Sequence, residues 1–190
     1  MHDLLSAKYV TKIATWNVRT AYTPGRLAQI IKEMKSNNID ILGTSEMRWL
    51  ESGQLVSDDV TVMFSGGSKH ESGVGLLLSK GAARSLIAWE PVSDRLMTAR
   101  LKTRFTCATI IQAYAPTESA SDTDKDDFYE QLNAILDAAP SHDVKILMGD
   151  FNAQIGPDRT GFENVMGNEA MGRRTDNGER FLSMCSSNEL

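Results

Sequence analysis

Val144-Lys145-Ile146-Leu147-Met148-Gly149-Asp150-Phe151-Asn152 is an apolar run that stops on a carboxylate and a carboxamide. Strand side chains alternate faces, so a strand through this stretch points Asp150 and Asn152 to one side and packs Phe151 inward. Such a pair suits work on a phosphate: the acid takes a proton from water and the amide holds an oxygen. Two earlier runs end in the same manner. Ile13-Ala14-Thr15-Trp16-Asn17-Val18-Arg19 reads as a half-buried strand that delivers Asn17, with Arg19 sharing its face. Ile39 to Glu46 is a short apolar strand that finishes on a carboxylate. Ligands of open α/β sheets sit in the loops at strand ends. Asn17, Glu46, Asp150 and Asn152 are therefore read as one cluster.

Between these runs the hydrophobic spacing predicts a helix over 25–37, with Leu27, Ile30, Ile31 and Met34 on one stripe and Thr23-Pro24-Gly25 as its start. Strand 13–18, this helix and strand 39–45 make a β–α–β unit. Strands follow at 73–79, 86–88, 96–101 and 105–114, the last two joined as an antiparallel hairpin by Lys102-Thr103-Arg104. A second helix spans about 124–138 on a Phe128, Leu132, Ile135, Leu136 stripe, stopped by Pro140 and Ser141. An irregular, Gly-rich stretch runs from Asn152 to Gly172, a long connection of the kind that lines sites. Asp176 with Glu179 reads as a capping box opening a last helix with Phe181, Leu182 and Met184.

With 190 residues, 41% of them hydrophobic, the chain reads as a single domain over 1–190 with a sizeable core. No run approaches the ~18 apolar residues of a membrane span, and Met1 to Lys12 has no leader pattern. Cys107 and Cys185 are read as buried thiols, without a disulfide framework. These features predict an intracellular protein, nuclear or cytoplasmic and not secreted. The net charge of −5 weighs against a non-specific DNA binder. Its distribution weighs the other way: the acids cluster in Asp122–Asp127, and basic residues recur toward the strand ends at Arg19, Lys69, Arg95, Arg173 and Arg174. His70 and His142 lie in turns outside any His/Cys ligand pattern, which argues against zinc.

The series Thr15-Trp16-Asn17-Val18-Arg19, Thr44-Ser45-Glu46, Tyr114-Ala115-Pro116 and Gly149-Asp150-Phe151-Asn152 resembles the endonuclease/exonuclease/phosphatase superfamily. Within it, the chain is most similar to the LINE-type retrotransposon endonuclease domains and the craniofacial development protein 2-like branch. Ser65–Leu78, Asp94–Leu101 and Arg174–Leu182 fit that branch too. The resemblance implies a four-layer α/β sandwich, two mixed β-sheets flanked by helices, and Mg²⁺-dependent hydrolysis of DNA phosphodiesters, with Mn²⁺ as a substitute. Glu46 is then the metal ligand, with Asn17 beside it as a possible oxygen donor. Asp150 activates water, Asn152 binds a nonbridging phosphate oxygen and Tyr114 faces the phosphate. Arg19, Arg95 and Asn177 are candidate substrate contacts. A core tyrosine at Tyr114 and a helix-start role for Asn177 are the plainer alternatives.

The family completes its site with a late Asp and an Asp-His pair, and this chain ends before any of them. The resemblance therefore also implies a domain lacking its C-terminal strands, with impaired activity. Two other readings stand beside the endonuclease. One is a non-catalytic remnant that binds nucleic acid or protein; the other is a phosphatase of small or lipid phosphoesters.

Overall fold

β1 (Ile13–Asn17), α1 (Arg26–Ser36) and β2 (Ile41–Ser45) form the expected β–α–β unit. β1 and β2 pair in parallel with Asn17 opposite Ser45. A computed structural model describes residues 4–5 and 10–190, so Met1 to Lys12, read above as having no leader, falls mostly outside the described residues. The other elements are β3 (Ser52–Ser57), β4 (Val60–Ser65), β5 (Val74–Leu78), α2 (Lys80–Ala83), β6 (Leu86–Pro91), β7 (Leu96–Lys102), β8 (Cys107–Tyr114), α3 (Asp122–Ala138), β9 (Val144–Asp150) and α4 (Asp176–Ser187). They fall into two compact units. One gathers the chain up to Tyr114 with Pro140–Asp150; the other gathers Ala115–Ala139 with Phe151–Leu190.

The first unit holds two mixed sheets, in strand orders β1-β2-β5-β4-β3 and β6-β7-β8-β9. Each contains one parallel pair, β1 with β2 and β8 with β9. Two cores explain its sequence. Ile41, Met63, Leu76, Leu78, Met97, Ala99, Ile110 and Met148 share one buried cluster, contributed by both sheets. Leu42, Val60, Val62 and Leu77 cluster with Ile30, Ile31 and Met34 of α1. β2 and β5 are therefore buried on both faces, and read as continuous apolar runs where a half-exposed strand would alternate.

Sequence patterning gives no element between 46 and 72, yet β3 and β4 form a hairpin there. Its turn is Asp58-Asp59, with φ 49° and 62°, the left-handed pair that a two-residue hairpin turn requires and that aspartate tolerates. Two other corrections are local. Phe105 is 83% exposed, because β8 begins only at Cys107, which is itself half-buried. β6 runs on to Pro91, beyond the expected end at Ala88.

At the far end of β9, Asp143 is buried and takes Arg100 Nε at 2.7 Å, Arg100 Nη2 at 3.0 Å and Thr109 Oγ1 at 2.8 Å. The Arg100 hydrogen bonds outweigh burial and hold its carboxyl below the usual aspartate value. A carboxyl lowered by folding stabilises the fold above its unfolded value and loses that contribution as pH falls through the folded one. Asp143→Asn is expected to lower Tm by on the order of 3–6 °C at neutral pH. The gap from the native chain should close below pH 3.8, the ordinary aspartate value. Thermal unfolding at both pH values checks this, and a gap that stays constant would refute it.

In the second unit α3 buries Phe128, Tyr129, Leu132 and Leu136, and α4 buries Leu182, Met184 and Cys185. Buried Lys125 holds Asp176 at 3.0 Å, and Arg180 pairs with Asp176, Asp122 and Asp126. The acidic start of α3 is thus answered within its own unit. The cap of α4 is Thr175, whose hydroxyl accepts from Gly178 N at 3.2 Å. Asp176, expected as that cap, instead lies in the first turn and carries the ion pairs.

Candidate active site

Parallel pairing brings strand ends together, and in the first unit both parallel pairs finish on polar residues. β1 ends on Asn17 beside Ser45, with Glu46 next in the chain; β8 ends on Tyr114 beside Asp150 of β9. Buried Gln112 of β8 reaches across to β2, donating from Nε2 to Thr44 O at 3.3 Å and Ser45 Oγ at 3.2 Å. Gly149 allows the last step of β9, because a Cβ there would strike the Ala113 carbonyl of the paired strand.

One side chain joins the cluster. Asn17 Nδ2 donates to Glu46 Oε1 and to Asp150 Oδ2, each at 2.8 Å. Its Oδ1 accepts from Arg19 N at 3.0 Å, which fixes the orientation of the amide. Glu46 Oε2 takes Arg48 Nη2 at 2.9 Å, and the Tyr114 hydroxyl favours the charged form of Glu46. Glu46 and Arg48 have φ 57° and 58°, and Arg19 has 58°. Left-handed backbone at residues other than glycine costs about 1–3 kcal/mol and concentrates at functional sites.

Burial pushes the Glu46 carboxyl up, but hydrogen bonds from Asn17 and Arg48, the Arg48 charge and the Tyr114 hydroxyl together hold it below the usual glutamate value. Tyr114 is shifted the other way, raised by burial and then by the Glu46 charge, so its hydroxyl keeps its proton at neutral pH and donates. Arg95 lies over the Tyr114 ring at 5.1 Å and donates to the Tyr114 carbonyl at 3.3 Å.

The sequence-predicted residues Asn17, Glu46, Tyr114 and Asp150 therefore meet, with Arg95 against Tyr114. Arg19 is exposed and stands outside β1, so its place comes from the turn after the strand and not from a shared strand face. Likewise β9 stops at Asp150, and Asn152 has φ 47°, so strand alternation does not carry through to it. In the second unit, Asn152 Nδ2 donates to Ala115 O at 2.9 Å, and Phe151 packs on Phe181 with ring centroids 4.4 Å apart. Asn177, expected at the substrate, is fully buried there, its amide donating to Pro116 O at 2.9 Å and Asn152 O at 3.3 Å. Arg174 is engaged as well, by Ile155 O at 3.1 Å, Glu179 and the Phe162 ring. Arg48 is the member that sequence reading missed. Its signal was the spacing Glu46-Met47-Arg48, an acid and a base on either side of a buried methionine.

The donor set suits a hard cation. Among the described residues no group of three or more His, Cys, Asp or Glu gathers, but Mg²⁺ needs only one or two carboxylates, with water and phosphate oxygens completing its shell. Glu46 and Asp150 offer two carboxylates within reach of one amide nitrogen, and no soft ligand lies among these contacts. Among the described residues, no helix is long and apolar enough to cross a membrane.

Comparisons with known proteins bear on the family and the fold. The model of the Endonuclease/Exonuclease/phosphatase family matches residues 14–177. Craniofacial development protein 2 of Bos taurus is 35% identical over 179 residues, 94% of this chain, and the chain spans 30% of that protein's length. The fold is similar to that of an AP endonuclease from Leishmania major, at 15% identity and TM-score 0.67, covering 99% of this chain and 71% of that one. It is also similar to the endonuclease domain of TRAS1, a telomere-specific non-LTR retrotransposon, at 14% identity and TM-score 0.62, covering 94% and 71%.

Proposed function

The chain belongs to the Endonuclease/Exonuclease/phosphatase family, and from that premise we propose that it hydrolyses DNA phosphodiesters with a divalent cation, nicking one strand to leave a 3′ hydroxyl. The observation that carries this reading is the single Asn17 amide shared by Glu46 and Asp150. Hydrolysis at phosphorus rests on positioning and on stabilising the charge that develops there. Glu46, held ionised by its neighbours, is the ligand for Mg²⁺, or Mn²⁺ in its place. The bound cation supplies neutralisation of that charge. Asn17 sets the spacing of the two carboxylates. Asp150 orients the attacking water and takes its proton. Tyr114 stays protonated and donates beside Glu46. Arg95 and Arg19 are proposed as contacts to the DNA.

Supercoiled plasmid tests this. The purified chain is expected to convert it to open circles with Mg²⁺, to stop when EDTA is added, and to leave nicks that a polymerase extends. A folded chain that binds plasmid without nicking it would overturn the reading in favour of a non-catalytic nucleic-acid binder. Nicking unaffected by EDTA would overturn the role of the cation.

A further inference from the structure

We propose that Arg48 is the resident counter-ion of Glu46, displaced from it by the divalent cation and then turned to the anionic phosphate of the substrate. The inference rests on the reading of Glu46 as the metal ligand. Each Glu46 oxygen carries a hydrogen bond, Oε1 from Asn17 Nδ2 at 2.8 Å and Oε2 from Arg48 Nη2 at 2.9 Å. A cation drawn to this carboxylate competes with these two donors for its charge and lone pairs.

Asn17 is the harder to move. Its amide also serves Asp150 at 2.8 Å, and its Oδ1 holds the backbone of Arg19 at 3.0 Å. The side chain of Arg48 is 42% exposed, and its buried Nε has no hydrogen-bond partner. Water reaches the Arg48 end of the pair, whereas the Glu46 side chain is only 17% exposed, and that access weakens the hold on the guanidinium.

The backbone of Arg48 is held independently of the contact its side chain makes with Glu46. Met47 N donates to Gly73 O at 3.0 Å and Arg48 N to Ser72 O at 2.7 Å. His70 Nδ1 lies 2.6 Å from the Arg48 carbonyl, which can only accept, so the imidazole donates. Release of the guanidinium is thus a change of side-chain rotamer on a fixed base. A planar fork of donors freed next to a cation site suits phosphate oxygens, which guanidinium binds two at a time.

Mn²⁺ binding, followed by loss of the free-ion paramagnetic resonance signal, tests this on the native chain, Arg48→Gln and Arg48→Lys. Arg48→Gln is expected to bind Mn²⁺ about fivefold tighter, because the competing charge is gone, while Arg48→Lys stays within about twofold of native. Inorganic phosphate should bind Mn²⁺-loaded Arg48→Gln about fivefold more weakly than the loaded native chain. Circular dichroism establishes that each variant is folded, and Arg48→Lys keeps the comparison open if Arg48→Gln is not. Equal or weaker Mn²⁺ binding by folded Arg48→Gln overturns the proposal, as does unchanged phosphate affinity, and both leave Glu46 as ligand intact. A native chain that binds no Mn²⁺ overturns the metal reading itself, and this proposal with it.

Discussion

Asp150→Asn is expected to slow Mg²⁺-dependent plasmid nicking by about 10²–10⁴, the range a positioned general base supplies. The substitution is close to isosteric, and an amide oxygen at the Oδ2 position still accepts from Asn17 Nδ2, now 2.8 Å away. β9 should therefore keep its register, with residue 150 opposite Tyr114. What is lost is the ability to take a proton. Single-turnover rates at saturating Mg²⁺ separate this loss from weaker cation binding. If Asp150 removes the proton, raising the pH should recover part of the rate in the variant, because hydroxide replaces the missing base. A variant within tenfold of native at neutral pH would dismiss Asp150 from that role.

The site was readable in advance because its residues sit where strands stop. Asn17, Glu46, Tyr114 and Asp150 all lie at the end of an apolar run or one residue beyond it, and parallel pairing of β1 with β2 and β8 with β9 collects those ends. The fold was readable for the same reason. β2, β5 and β8 are buried on both faces, and α1 carries an apolar stripe, so composition and period agree. The β3–β4 hairpin escaped because β3 is mostly exposed at the edge of its sheet and alternates no apolar residues, and because Asp-Asp is an uncommon turn pair.

The rest escaped because it depends on what the backbone does after the strands end. Alternation assigns Asn152 to the face of Asp150 only while the chain stays extended, and the chain leaves the strand at Asp150. Arg174 looked like a basic contact, yet its guanidinium is spent on Ile155 O and Glu179. Arg48 drew no reading from the sequence. Left-handed backbone at Glu46 and Arg48 is what brings their side chains together, and such backbone leaves no periodic trace in a sequence.

Asn17→Asp is expected to be the most damaging single change of similar size in the first unit. The native amide gives one hydrogen bond to each of two carboxylates. An aspartate there has no proton to give at neutral pH, and it would place a third negative oxygen against Glu46 Oε1 and Asp150 Oδ2. Donors become repulsions, with Arg48 as the nearest compensating charge at Glu46. Nicking should fall by about 10²–10³, the usual cost of losing a positioned donor in a preorganised site. Without divalent cation the variant should also melt lower than the native chain, and Mg²⁺ should raise its Tm by more than it raises the native one, because an ion that binds only the folded state stabilises it. Asn17→Ala separates charge from geometry: it loses the same two hydrogen bonds and adds no repulsion, so it should melt higher than Asn17→Asp in EDTA. If the two variants melt together and respond equally to Mg²⁺, Glu46 and Asp150 are not the facing carboxylates of a cation site, and the amide between them is only a structural clasp.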